Sequence, residues 1–362
     1  MHEHKHNQCR RKVKHRKNVM KLIIFCITVG LAFMFTYYQN LRKEISARQK
    51  WLETVLTGEK KWILENQGPE GEFYMNGSKA GDVNPYFACM AALGLLAETK
   101  NCPITETEKK AVGRYLDWHT GILLETDGKM GIYRKKSGKL IYKEKADSED
   151  GYLGMYLFLM GKYLEKTEST DLPEYWKKGI SLALKKIQSL MQDGITQVSE
   201  ENTTVYLMDN LEVWKGLYEL EHAGLKDVQA IREMRNKLQA QIEKLFWDDA
   251  NQRWRIIENS NLYHQKEFYP DGVAQIYPLI YEFPVKEKKK QKILYKQFTE
   301  RFQWQKLTKK RNGFLWAMTG MAAAQMGDIN NLLEMIRNYE AEYCENRKYP
   351  LYTGEAGWIC ME

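Results

Sequence analysis

The sequence predicts an all-α protein: six helical hairpins in two concentric rings, preceded by one N-terminal transmembrane helix. Three observations predict it. Charged amphipathic segments alternate with segments that are apolar on every side. Asp147, Asp209 and Asp271 stand 62 and 62 residues apart, each opening such an apolar segment. No Gly/Pro/Ser-rich linker divides the chain beyond the juxtamembrane part, so residues 45–362 read as one domain.

Residues 1–21 form a basic tail that carries +7 of the net charge of +8. The rest of the chain is close to neutral and lacks the basic stripe that nucleic-acid binding needs. Leu22 to Leu41 holds no charge, and Leu22–Phe35 is almost wholly apolar. At about 1.5 Å per residue this stretch crosses a hydrocarbon core. No A-x-A cleavage site follows, Tyr37 and Tyr38 sit where an interfacial belt belongs, and the basic flank precedes the helix. An uncleaved anchor is therefore expected, with the N-terminus cytoplasmic and everything after Leu41 extracytoplasmic. His2, His4, His6 and His15 add surface charge to the tail. Outside the membrane, Cys89, Cys102, Cys344 and Cys360 show no zinc spacing, and Cys344 with Cys360 reads equally as a disulfide or as two free thiols.

The expected hairpins pair residues 44–67 with 84–99, 104–120 with 147–166, 172–192 with 208–223, 226–246 with 271–283, 286–302 with 312–326, and 328–345 with a short segment from about Glu355. Asn84 opens the segment 84–99, with Pro85 at its first helical position. A β-hairpin is expected within GIYRKKSGKLIYKEK, residues 131–145. The central helix, DSEDGYLGMYLFLMGKYLEKT, has no polar stripe and must be buried, with Asp147, Glu149 and Asp150 in its cap and first turn.

If the inner helices run parallel, their N-termini converge on one face. That brings together Asp82 and Asn84, the Asp147/Glu149/Asp150 cluster, Asp209 with Asn210, Asp271, Asn312 and Glu355. Tyr86, Tyr152, Tyr206, Tyr269, Trp316 and Trp358 border them. Carboxylates and amides among aromatic rings suit a neutral polyhydroxylated ligand. His119 and His222 lie on amphipathic helices and read as packed or surface residues, and His264 lies in a loop. Hydrolase-triad, zincin and nucleotide motifs are absent, so no cofactor or metal is expected.

The segments DSEDGYLGMYLFL, YLMDNLEVWKGL, YPDGVAQIYPLI and NGFLWAMTGMAAA resemble those of the six-hairpin, (α/α)6-barrel glycosidases over roughly residues 45–362. Glycoside hydrolase family 8, which includes enzymes of bacterial exopolysaccharide synthesis, is closest in outline. The resemblance implies an acidic motif at Asp147–Asp150 and a catalytic aspartate at Asp271. That family's acid glutamate on the first inner helix has no counterpart in GDVNPYF, and Asp82, or Glu72 in the preceding GPEGEF loop, is the candidate stand-in. The unsaturated-uronyl hydrolases of the same fold imply an aspartate near Asp147 but also a basic clamp that the sequence does not show.

The expected function is thus a membrane-anchored extracytoplasmic glycosidase acting on a surface or secreted polysaccharide by an inverting two-carboxylate mechanism. Asp271 is the candidate base, the acid comes from Asp147, Glu149 or Asp150, and Asp209 orients substrate. An exopolysaccharide synthesis complex is a candidate partner. The rival is a catalytically degenerate carbohydrate-binding or assembly protein on the same fold. A terpenoid-cyclase toroid finds no DDxxD run.

Overall fold

In a computed structural model the chain divides into two compact units, Met1–Thr54 and Val55–Glu362. The structure describes residues 2–77, 81–136, 139–169, 171–258, 267–307, 311 and 313–362. Of these, the side chains of 2–19, 21–30, 32, 33 and 36 are outside the description. His264, Asn312 and the Ser137–Gly138 centre of the expected hairpin lie outside the described residues, as do the side chains of His2, His4, His6 and His15.

The described residues of the first unit are all helical, as the start of α1, His2–Glu65. Leu31, Met34, Phe35, Tyr37, Tyr38 and Leu41 are exposed along it. Among the described residues no helix is long and apolar enough to cross a membrane, and most side chains of the expected span at Leu22–Leu41 lie outside them.

Twelve α-helices are found among the described residues, and in the second unit they pair as the alternation predicts. The outer set is the end of α1, α3 (Glu106–Glu125), α5 (Glu174–Leu190), α7 (Gln229–Phe246), α9 (Lys288–Phe302) and α11 (Ile329–Tyr339). The inner set is α2 (Pro85–Leu95), α4 (Glu149–Thr167), α6 (Leu207–His222), α8 (Val273–Ile280), α10 (Thr319–Met326) and α12 (Thr353–Met361). Each inner helix packs on the next, and α12 returns against α2 to close the ring. Outer helices bury one stripe; in α5 it is Trp176, Ile180, Ala183, Ile187 and Leu190. This is the period of an amphipathic helix. In α4, by contrast, every residue from Asp150 to Gly161 is buried.

Close approach of the inner helices depends on glycine. A Cβ on Gly216 of α6 would fall 2.2 Å from the Gly154 carbonyl oxygen of α4, and one on Gly357 of α12 would fall 2.1 Å from the Met90 carbonyl oxygen of α2. These seams bring α4 against α6, and α12 against α2, at the positions that carry the cleft side chains.

Three details differ from the expectation. Ser148, not Asp147, caps α4, its Oγ accepting the Gly151 N–H at 3.1 Å. In the segment expected to begin a helix at 312, residues 313–318 are irregular and α10 starts at Thr319, with Trp316 at φ +60°. The hairpin, β2 (Gly131–Lys136) and β3 (Lys139–Lys145), gains a third antiparallel strand, β1 (Asp82–Val83), which pairs Asp82 with Arg134 and Val83 with Tyr133. Asp82 also binds Arg134 Nε at 2.6 Å and Lys143 Nζ at 2.8 Å, fixing this sheet at the mouth of the barrel.

Candidate active site

The first turns of the inner helices, with the sheet beside them, enclose a cleft of about 730 Å³. That volume suits a ligand pocket. Its polar floor is Asp147 and Ser148 ahead of α4 and Asp209 and Glu212 on α6, one helical turn apart. Aromatic walls come from Tyr86 and Phe87 of α2, Tyr152 of α4, Tyr277 of α8, Trp358 of α12, and the loop residues Tyr269, Phe314 and Trp316. Among the described residues none of Asp147, Asp209 and Glu212 is in an ion pair.

Glu212 was missed by the sequence reading, which looked for acids only at helix caps. Its carboxylate is almost fully buried. Tyr277 Oη donates to Glu212 Oε1 at 2.6 Å, Tyr86 Oη donates to the same oxygen, and Tyr281 Oη stands 3.4 Å away. Burial pushes Glu212 up to about 7, against the pull of the two phenol donors and with the help of the negative charges of Asp150 and Asp147. Asp209 is held well above the usual carboxylate range, first by burial and then by Asp150 and Glu212. Mutually repelling carboxyls in a low-dielectric site keep a proton among them at neutral pH. The detectable signal was the i, i+3 acid pair in LMDNLEVWKGL, an otherwise apolar helix.

The other expected site residues divide by position. Asp82, Tyr86, Asp147, Asp209, Tyr269, Trp316, Glu355 and Trp358 line the cleft. Asp271, the expected base, does not: it borders a separate depression with Gln275, Phe298 and Phe302. The chain enters α8 through the turn Phe268–Gly272, which directs Tyr269 inward and Asp271, two residues on, to the other side. Asp150 lies below the floor, accepting Thr196 Oγ1 at 2.7 Å, Ser148 Oγ at 2.8 Å and the Gly151 N–H at 3.0 Å. Burial pushes it up to about 6 against those bonds. Glu149 faces a neighbouring pocket and pairs with Lys145 at 3.3 Å. Asn210 is spent on the backbone and hydroxyl of Thr196 and on the Tyr206 carbonyl. Glu72 is buried and accepts Tyr74 Oη at 2.7 Å; neither it nor Tyr206 reaches the cleft.

Glu355 lines the cleft but is committed to the backbone. Its Oε1 accepts the Leu315 and Trp316 N–H groups at 3.1 Å each, and its Oε2 accepts Ala317 N–H at 2.8 Å. Burial pushes Glu355 up to about 7 against these three donors. The carboxylate thus holds the strained turn that presents Trp316, whose ring packs on Tyr269 at 4.8 Å.

His119 is fully buried between Tyr115, 3.1 Å from its Nδ1, and Tyr156, and burial pushes it down to about 3. His222 is exposed and stacks on Tyr218. Cys89, Cys102, Cys344 and Cys360 are unpaired in the structure. Among the described residues no group of three or more His, Cys, Asp or Glu is arranged to hold a metal ion.

Neither a family model nor a curated protein matches the sequence. Solved structures do. A glycosidase superposes with a TM-score of 0.63 at 12% identity, covering 87% of this chain and 97% of that one. An alpha-amylase from Clostridium perfringens gives 0.54 at 13%, covering 86% and 96%. A D-mannose isomerase gives 0.53 at 10%, covering 81% and 86%. The fold is therefore glycosidase-like, and the isomerase shows that it serves more than one chemistry.

Proposed function

We propose that the chain is a glycoside hydrolase acting on a neutral polysaccharide, with Asp209 as general acid and Asp147 as general base. The observation that carries this reading is the Asp209–Glu212 pair, one turn apart on α6, at the floor of an aromatic-walled cleft. Glycoside hydrolysis needs one protonated carboxyl to release the leaving oxygen and one carboxylate to activate water. Asp209 lies in the cleft with its proton retained by burial and by Asp150 and Glu212. Asp147 is exposed just ahead of the neighbouring inner helix α4, open to water. Glu212, held by two tyrosines and itself raised to about 7, crowds Asp209 with a second carboxyl and lines the cleft beside it. With the acid on α6 and the base on the separate segment ahead of α4, a separation that admits a water between them, and hence inversion, is the expected outcome.

Reducing-sugar release over a panel of neutral polysaccharides tests the activity. Asp209→Asn should lower turnover at least about a hundredfold, and proton NMR of the first product should show the inverted anomer. Full activity in Asp209→Asn, or a retained anomer, would overturn the assignment. The finer kinship to family 8 turns on Asp271: loss of turnover in Asp271→Asn, with Asp209→Asn active, would favour that family's arrangement instead.

A second reading is favoured by Glu355, a cleft carboxylate wholly occupied by backbone donors. On it the cleft binds glycan without cleaving it, as an assembly protein would. Retention of a polysaccharide with no product from it would select this reading.

We also propose that the activity is anchored outside the cytoplasmic membrane, beside an exopolysaccharide synthesis complex. Support comes from the uncharged stretch Leu22–Leu41 behind a basic tail and from the exposed apolar residues of α1. Protease added to intact cells should digest the region after Leu41; protection of that region would overturn the topology.

A further inference from the structure

Aromatic side chains do not stop at the edge of the cleft. Tyr269 and Trp316 pack at 4.8 Å, Trp316 meets Phe314 at 6.0 Å, Phe314 meets Tyr352 at 5.5 Å, and Tyr352 meets Tyr349 edge-on at 6.1 Å. Phe87 stacks on Phe314 at 5.4 Å from the side. These rings come from four separate stretches of chain, yet they form one continuous row. Tyr269 and Tyr349 are exposed, at 38% and 68%, and Trp316, Phe314, Tyr352 and Phe87 are half-buried. Tyr269, Trp316, Phe314 and Phe87 line the cleft, while Tyr352 and Tyr349 lie past its lining.

Exposed rings in a row cost solvation and are found where a partner covers them. Their mounting is rigid. The Tyr352 carbonyl accepts the Glu355 and Ala356 N–H groups at the start of α12, and Glu355 in turn grips the turn of Trp316. Gly313 makes room for Tyr349: a Cβ there would fall 2.5 Å from its hydroxyl.

We propose that Tyr352 and Tyr349 are distal subsites of a track for an extended neutral glycan, which runs from the carboxylates past Trp316 and Phe314 and out of the cleft. The occupant is argued from two facts. The row is continuous with the cleft, and successive tilted rings offer faces to the C–H sides of successive sugars. A monosaccharide bound at the carboxylates would lie wholly within the cleft and leave Tyr349 bare. The substrate is thus a chain of several units, gripped well beyond the bond that is cut. This rests on the glycoside-hydrolase reading only for the cut itself.

The test uses full-length protein in detergent on an array of neutral glycans of graded length, as wild type, Asp209→Asn, and Tyr349→Ala/Tyr352→Ala. Wild type and Asp209→Asn should bind long chains more tightly than di- and trisaccharides, by about two- to tenfold per stacked ring. The double alanine variant should lose that advantage while keeping its grip on the short glycans and its thermal midpoint. Tyr349→Phe/Tyr352→Phe, which keeps the rings, should restore it. An unchanged length dependence in the alanine variant, or no neutral glycan held at any length, would overturn the track. Binding without turnover in wild type would overturn the hydrolase reading and leave the track standing.

Discussion

Tyr277 Oη donates to Glu212 Oε1 across 2.6 Å, and Tyr86 donates to the same oxygen from the adjoining wall of the barrel. One carboxyl oxygen is thereby fixed by helices α2 and α8 while its own chain belongs to α6. The other oxygen has room because position 151 is glycine; a Cβ there would come within 2.6 Å of it. Three inner helices thus converge on a single group that burial tends to keep protonated.

That arrangement makes stability depend on pH. The Glu212 carboxyl is raised from an ordinary 4.5 to about 7 in the folded chain. Below the ordinary value both states hold the proton and nothing is lost. As pH rises through the window up to about 7, the unfolded chain gives up its proton first, so the folded state loses on the order of 3 kcal/mol from this group alone. Asp150 and Glu355, raised to about 6 and about 7, act in the same direction. Thermal midpoints measured from pH 4.5 to 8 should fall, and Glu212→Gln should flatten much of the fall. A slope identical in Glu212→Gln would show that the burial does not act as described.

The α4–α6 seam carries a second prediction. Gly216→Ala would set a methyl 2.2 Å from the Gly154 carbonyl oxygen, a backbone atom that cannot swing away. The helices must separate, at a cost of roughly 1–3 kcal/mol. Asp209 and Glu212 ride on α6, so turnover should fall further than stability does. Chemical denaturation and kcat on the same sample check both; a stable variant with full kcat would mean the seam is looser than it is drawn.

The alternation of charged and apolar segments made all six hairpins readable, because an inner helix has no face left for water. The ring of caps was readable only in part. Asp150, Glu149, Asn210 and Glu72 are the right residue types at or near inner-helix openings, yet each is taken up by a neighbour that sequence spacing does not reveal. Asp271 lies outside the cleft lining for a geometric reason: in the turn Phe268–Gly272, position 269 borders the cleft and position 271 a separate depression. Asp271→Asn is accordingly expected to keep turnover within about threefold of wild type, because Asp271, although buried, stands outside the cleft lining, so the cost of the substitution falls on stability and not on chemistry. A hundredfold loss in the same reducing-sugar assay would restore the sequence's assignment.

Glu355 supplies the last prediction. Its two oxygens accept three backbone N–H groups, those of Leu315, Trp316 and Ala317. Trp316 needs this support because a tryptophan in the left-handed region is strained. In Glu355→Gln one oxygen becomes an amide nitrogen, which cannot accept the Ala317 N–H, and a buried donor is left without a partner. The variant should lose about 1–3 kcal/mol of stability. Its effect on glycan affinity should run through Trp316 and not through charge in the cleft. A double-mutant cycle separates the two: Trp316→Ala should weaken binding, Glu355→Gln should weaken it in part, and the pair together should be no worse than Trp316→Ala alone. The coupling should reach at least about 0.5 kcal/mol, the level that marks residues acting through one contact. Strictly additive losses would mean that Glu355 meets the sugar directly, and the turn would then be a by-product of its position.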